Sequence, residues 1–301
     1  MDALRQDLQQ AAALTDAGPA LPLDWSIVPT VDALRKRLPE IAQQYQKALP
    51  YPHVVIDDFL PPAVAAAMAA DFPRPDDARV WNRLPTDDQR GKSSLRHENT
   101  LPACIRRLIH ELNSQTMIEF IEELSGLDNL ISDPRLVGGG IHQTHTSGKL
   151  SVHIDYSHHP CYQLLRRINL ILYLTPDWRE EYGGHFELWD ATATSCLGKV
   201  LPVFNRCVIF STSDNSYHGQ PEPLRCPSDV QRNSVALYYY TNEARVSGGQ
   251  AGSHNTIFRS RPGETAPLGT RFVRAASGGL LRDAMPPILY RALRRMWNGQ
   301  R

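Results

Sequence analysis

Charge of one sign is the first thing this sequence lacks. Lys and Arg together number 32, and Asp and Glu also number 32, so the formal net charge is zero with His neutral. No global field then draws the chain to nucleic acid or to an anionic membrane. No run reaches the roughly 18 apolar residues of a membrane-spanning helix, so no membrane span is expected. Cysteine is scarce and scattered. Cys104, Cys161, Cys196, Cys207 and Cys226 form an odd set with no CxxC pair, which argues against a disulfide framework and a zinc–thiolate site and for reduced thiols. Residues 1–10 (MDALRQDLQQ) hold no apolar signal core, and the expected location is cytoplasmic. GxGxxG, GxxxxGK[ST] and HExxH are all missing, so neither a nucleotide-phosphate cradle nor a zincin site is indicated.

What is present points to a packed enzyme-sized core. Hydrophobic residues make up 42% of the 301 and charged residues only 21%, a balance that favours globular folding over disorder. A single domain over 1–301 is expected, with α+β architecture. Residues 1–134 read as mainly helical support. Helices are expected at 1–14 and 31–48, where Val31, Leu34, Leu38, Ile41 and Tyr45 recur at helical steps. Others are expected at 63–71, opened by Pro61 and Pro62, and at 102–125. A short strand is expected at 53–59. The polar stretch 73–100, with Pro73, Pro75, Pro85 and Gly91, reads as a long loop and a candidate lid. From 135 to 241 the texture changes to short strands separated by turn residues, at 141–145, 149–154, 167–174, 184–189, 200–203, 206–211 and 233–240. That rhythm predicts a barrel or double-sheet jelly roll. Residues 242–301 form a C-terminal extension closed by a basic amphipathic helix at 286–298. Its Arg291, Arg294 and Arg295, with Arg301 beyond it, read as a solvated face.

The chemistry lies in His153-Ile154-Asp155 and the later His218 and Arg232. On a strand, residues two apart share a face, so His153 and Asp155 can reach one ion while Ile154 points away. A second imidazole completes the two-His, one-carboxylate set of non-heme Fe(II) oxygenases, which leaves coordination positions open for co-substrate and O2. Arg232 then suits a dicarboxylate co-substrate such as 2-oxoglutarate, since its planar fork holds a carboxylate bidentately. The bare HxD pattern is common by chance, and its surroundings carry the weight. Between the ligands stand Arg167-Ile168-Asn169-Leu170-Ile171-Leu172-Tyr173-Leu174, Trp178 and Gly183-Gly184-His185-Phe186-Glu187-Leu188-Trp189. Pro202-Val203-Phe204-Asn205-Arg206, Ser216-Tyr217-His218-Gly219 and Arg232 to Tyr240 follow.

This order and spacing resemble the prolyl 4-hydroxylase-like branch of the Fe(II)/2-oxoglutarate-dependent dioxygenases over roughly 135–241. PHVVIDDFLPP at 52–62 looks like the entry segment of that branch. The resemblance implies a double-stranded β-helix (jelly-roll, cupin-like) core with supporting N-terminal helices and a C-terminal helix. It also implies iron ligands His153, Asp155 and His218, and co-substrate contacts Arg232, Tyr173 and Asn169. Gln143 stands where relatives often carry a tyrosine near the co-substrate, a departure that leaves it either a contact or a plain strand residue. His158, His159 and Arg167 are candidate substrate contacts. The bland readings beside them are loop histidines and a strand-start charge pair, Arg166-Arg167. A carboxylate at 155, where related halogenases have a small residue, favours hydroxylation.

The implied cofactors are Fe(II), with 2-oxoglutarate and O2 as co-substrates. The implied reaction hydroxylates an unactivated C–H bond of a small amino-acid-like or natural-product molecule and releases succinate and CO2. A prolyl residue of a protein or peptide is the alternative substrate. A non-catalytic jelly-roll binding module and a zinc hydrolase are the readings from other classes. Nothing in the sequence sets the oligomeric state.

Overall fold

The structure, a computed structural model, describes residues 25–74, 77, 81–83, 86–162, 164–242 and 254–264. The helices expected at 1–14 and 286–298 lie outside these residues. The chain divides into two compact units, 1–261 and 262–301. Every element named below lies in the first.

Helices come first. The segment expected as one helix at 31–48 is two: α1 (Val28–Arg35) and α2 (Leu38–Lys47). Pro39 sits in the first turn of α2, where a missing N–H costs nothing, but it could not have been carried inside a continuous helix. After β1 (His53–Ile56) comes α3 (Pro62–Ala70). The segment 102–125 likewise divides into α4 (Ala103–Leu112) and α5 (Gln115–Ser125), which is closed by Gly126 in the left-handed region, the usual helix-ending conformation. Where only loop was expected over 73–100, the chain forms β2 (Asn82–Arg83) and β3 (Lys92–Leu95). Four residues of mixed polarity are too short to show a strand period, and β3 exists because its neighbour offers an edge.

The remaining strands are β4 (Ile131–Ser132), β5 (Gly140–Thr144), β6 (Leu150–Ile154), β7 (Leu165–Tyr173), β8 (Phe186–Trp189), β9 (Cys196–Val200), β10 (Cys207–Ser211), β11 (His218–Gln220), β12 (Arg232–Thr241) and β13 (Ile257–Phe258). One sheet runs β1-β10-β7-β12-β5-β3-β2, with β4 added to β12. The other runs β13-β6-β11-β8-β9. All pairings are antiparallel. From β5 to β12 the chain passes repeatedly between the sheets, which is the winding of a double-stranded β-helix, as expected.

The larger sheet has two differently used faces. Ile141, Ile168, Leu170, Leu172, Ile209, Val235, Leu237 and Tyr239 pack with the helices, including Phe120, Ile121 and Leu124 of α5. Each such side chain, fully buried, contributes about 1.5–3 kcal/mol. The opposite face, with Tyr173, Val208 and Phe210, meets Phe186, Leu188 and Val200 of the smaller sheet. Period-2 alternation thus fixes which residues can enter the interior. The helical layer is tied to the sheet by directed bonds as well: Tyr239 Oη donates to Leu112 O at 2.7 Å, and Tyr45 Oη lies 2.7 Å from Ser211 Oγ.

One glycine is obligatory at the start of β5. Gly140 has φ +93°, and a Cβ there would stand 2.4 Å from Leu95 O and 3.0 Å from Arg96 Cα, so β3 could not lie against β5. Gly140→Ala is expected to lower stability by about 2 kcal/mol or more. Urea unfolding checks it, through a lower midpoint at an unchanged slope.

Candidate active site

His153 ends up beside His218 because β6 and β11 pair with these two residues directly in register. Their ring centroids are 4.5 Å apart. Ile154 turns away into a separate apolar cluster with Val152 and Trp189, and Asp155, one step further, returns to the interior. His153 Nε2 lies 3.6 Å from Asp155 Oδ1, and His218 Nε2 lies 3.3 Å from Asp155 Oδ2. Candidate ligand atoms of the three residues all fall within 4.8 Å of one another.

The hydrogen bonds behind the imidazoles decide what they can do. Nδ1 of His153 is 2.8 Å from Ser151 O, and Nδ1 of His218 is 2.8 Å from Ser216 O. A carbonyl only accepts, so each Nδ1 carries the proton and each Nε2 presents a lone pair. Burial, and then the neighbouring His218, press the His153 pKa below the ordinary imidazole value, which keeps that lone pair free. Two lone pairs and a carboxylate thus converge in a buried space with no proton between them. That donor set fits a divalent cation, and imidazole with carboxylate suits iron.

Asp155 is held from behind. Asn169 Nδ2 donates to its Oδ2 at 2.8 Å, and Arg166 Nη2 lies 3.0 Å from the same oxygen. The Arg166 contact is one of charge rather than a directed bond, since Nη2 is not aimed at an acceptor. Arg166 Nε does donate to Asn169 Oδ1 at 2.8 Å. The guanidinium lies over the rings of Tyr238 (3.4 Å to the centroid) and Tyr156 (4.8 Å), which lowers the cost of burying it. Burial opposes ionisation of Asp155, but the Arg166 charge offsets it and holds the carboxyl well below its usual range.

Arg232 opens β12. Its Nε donates to Gly184 O at 2.9 Å and its Nη2 to Tyr173 Oη at 3.2 Å, with the guanidinium 4.7 Å from the Tyr173 ring. Burial pushes its pKa down, and among the described residues it has no carboxylate partner. Gly184 must lack a Cβ here, because one would meet Arg232 Cδ at 3.2 Å with φ already at +76°.

The other expected contacts fall differently. Asn169, expected at the co-substrate, bonds Asp155 and Arg166 instead. Gln143 shares its parity on β5 with Ile141 and so faces the helices. Its Nε2 donates to Pro73 O and Asn233 Oδ1, both at 3.1 Å, and His142 takes the inward position. Arg167, a candidate substrate contact, is displaced by a β-bulge from the face that Asn169 and Tyr173 share. Tyr239 pairs with Ile168 while Tyr240 pairs with Arg166, so Arg167 is the extra residue and Arg166 enters the interior in its place. His159 is buried away from the triad: its Nδ1 accepts from the N–H groups of Cys161 and Tyr162, and its ring stacks on Tyr162. His158 lies 3.0 Å from Ser157 Oγ through Nδ1. Neither histidine, nor Arg167, lines the cavity beside the triad.

That cavity has a volume of about 210 Å³ and is bordered by His153 and Asp155. Its walls include Lys92, His142, Tyr156, Arg166 and Tyr238, none of which the motif reading singled out for the site. Tyr156 carried a signal, following Asp155 directly, and His142 follows from parity with Thr144.

Residues 139–240 match the family model described as the 2OG-Fe(II) oxygenase superfamily. Over those residues the chain is similar to that superfamily. Its members use Fe(II), 2-oxoglutarate and O2. A prolyl 3-hydroxylase of Mus musculus, OGFOD1, is 32% identical over 79 residues, which cover 25% of this chain and 14% of that protein. Among solved structures, a prolyl-4-hydroxylase of Pseudomonas putida aligns over 68% of this chain and 100% of its own, at 16% identity and a TM-score of 0.49. HygX of Streptomyces hygroscopicus, with nickel, 2-oxoglutarate and hygromycin B bound, aligns over 64% of this chain and 84% of its own, at 11% identity and a TM-score of 0.44. Among the described residues no helix is long and apolar enough to cross a membrane.

Arg166→Leu strips Asp155 of its counter-charge. The metal-free protein is expected to lose about 3–5 kcal/mol, the cost of a buried charge left unpaired. Saturating Mn(II) should restore most of that loss, since a bound cation replaces the missing charge. Urea unfolding with and without Mn(II) measures both effects, and equal losses in the two conditions would mean that Arg166 acts on packing alone.

Proposed function

We propose that the protein is an Fe(II)- and 2-oxoglutarate-dependent dioxygenase that hydroxylates a C–H bond of a small molecule. The observation that carries the reading is the pair formed by a largely buried acceptor triad and a half-buried arginine without an anionic partner among the described residues. His153, Asp155 and His218 would hold the iron, and Arg232 with Tyr173 Oη would hold the distal carboxylate of 2-oxoglutarate. Bound Fe(II) supplies the oxidising chemistry: one atom of O2 goes into succinate as CO2 leaves, and the other goes into the hydroxyl of the product.

The chain's own residues set the conditions for that chemistry. Ser151 and Ser216 carbonyls fix the tautomer and tilt of the two imidazoles. Arg166 and Asn169 engage Asp155 Oδ2, which leaves Oδ1 as its less encumbered oxygen. Such supporting partners are worth about 10- to 100-fold in metal affinity. Tyr173 is fully buried and Arg232 half-buried, so an ion pair there would be screened less by water than one at the surface. A small-molecule substrate is favoured by a compact cavity walled partly by β3 and the turn before it, rather than by an open groove. A prolyl residue of a peptide is the second reading, motivated by the prolyl 3-hydroxylase similarity.

Anaerobic addition of Fe(II) and 2-oxoglutarate to the apoprotein is expected to produce a visible metal-to-ligand charge-transfer band that His153→Ala abolishes. A folded, metal-binding protein without the band would overturn the reading. Arg232→Leu should keep the band but raise the 2-oxoglutarate needed for half-saturation by at least about 30-fold, as removal of one partner of a buried charge pair does. An unchanged midpoint would remove Arg232 from the co-substrate.

A further inference from the structure

We infer that Lys92 is the anchor for a carboxylate on the substrate, so that the molecule oxidised is an organic acid rather than an interior prolyl residue of a peptide. This rests on the oxygenase reading above and deepens it.

The argument starts from the strand register. β3 adds to β5 with Lys92 opposite Thr144 and Ser94 opposite His142. Leu95, and with it Ser93, faces the helical layer, so Lys92 and Ser94 face the interior. The Lys92 side chain reaches the cavity that touches His153 and Asp155. Among the described residues it makes no hydrogen bond and no ion pair. Lys92 is half-buried, and an ammonium partly withdrawn from water without a partner is unfavourable. Burial, opposed by Asp155 and reinforced by Arg232 and Arg166, brings its pKa down to about 8.

The rest of the cavity offers nothing that could neutralise it. Asp155 is the one carboxylate among the lining residues, and it is already shared by Arg166, Asn169 and two imidazoles. His142, which burial and then Lys92 hold well below the ordinary imidazole value, is neutral, and its Nε2 lies 3.1 Å from Gly138 O. The co-substrate does not fill the role either. Arg232 and Tyr173 lie outside this cavity's lining, and in register Arg232 stands two strands away from Lys92, beyond Thr144, roughly 10 Å at sheet spacing. The missing anion must therefore arrive with whatever occupies the cavity. Beside Lys92, Ser94 and Gln89 offer further hydrogen-bonding groups, while Leu150, Tyr238 and Phe258 supply apolar wall nearer the triad. The geometry suits a short organic acid with its carboxylate at Lys92 and its carbon body towards His153 and Asp155. An interior prolyl residue brings no carboxylate of its own.

The test uses the full chain loaded with Zn(II) and saturating 2-oxoglutarate, and saturation-transfer-difference NMR with two isosteric probes, n-butyrate and n-butyramide. Butyrate is expected to bind and butyramide to bind far more weakly. Lys92→Met should weaken butyrate by on the order of 10- to 100-fold, the size of one charge-assisted hydrogen bond, and Lys92→Arg should retain it. Equal binding of butyrate to the parent and Lys92→Met proteins, or equal binding of the two probes, would overturn the proposal. So would a Lys92→Met protein whose 2-oxoglutarate midpoint in the charge-transfer titration moves while butyrate binding does not, because Lys92 would then belong to the co-substrate. Absence of the charge-transfer band in the parent protein overturns the oxygenase reading alone, and the butyrate comparison still decides whether Lys92 is an anion site.

Discussion

Two imidazole lone pairs and a carboxylate are forced together in a space from which water is largely excluded, with no proton among them. That arrangement is repulsive until a cation enters it, and much of the structure is organised to sustain the repulsion. The β6–β11 pairing sets the two histidines side by side. Backbone carbonyls hold the protons on the far nitrogens. The helical layer, packed on the outer face of the larger sheet, supplies stability that the inner face gives up by carrying so many polar groups.

The polar interior is graded rather than uniform. One end of β12 presents Arg232 with the Tyr173 hydroxyl. The other end presents Tyr238 beneath the Arg166 guanidinium. Six residues of strand separate Arg232 from Tyr238, about 20 Å of extended chain. Arg232 near one end and Arg166 near the other place positive charge at both ends of this face. That charge explains why a single buried carboxylate, Asp155, needs so much support: it is the sole acid in its cavity and sits among cations that would otherwise pull it out of position.

Much of this was legible in the sequence because strand periodicity is strict. His153, Ile154 and Asp155 alternate as a strand must, and Arg232 to Tyr240 reads as one continuous strand. The triad, Arg232 and Tyr173 could be brought together on paper, and the double-sheet winding followed from the rhythm of short apolar runs. The losses have specific physical causes. Gln143 was placed by its distance along the chain from His153, whereas its parity with Ile141 sends it to the helices. β3 is a strand only because β5 lends it an edge, so Lys92 carried no local signal. The helix at 31–48 broke at Pro39, and the one at 102–125 broke at Asn113 and Ser114, where the continuous apolar periodicity concealed the turn.

The bulge at Arg167 shows how a fold can edit its own sequence. Two adjacent arginines are chemically identical, yet one is sealed between tyrosine rings against the metal site and the other is not, and a single unpaired residue makes the choice. A relative with the same Arg-Arg pair on an unbulged strand would present the opposite member to the interior. Equivalence between such proteins is therefore a property of the ladder of paired residues, and columns counted backwards in twos from Tyr173 would match the inward arginine to its outward neighbour.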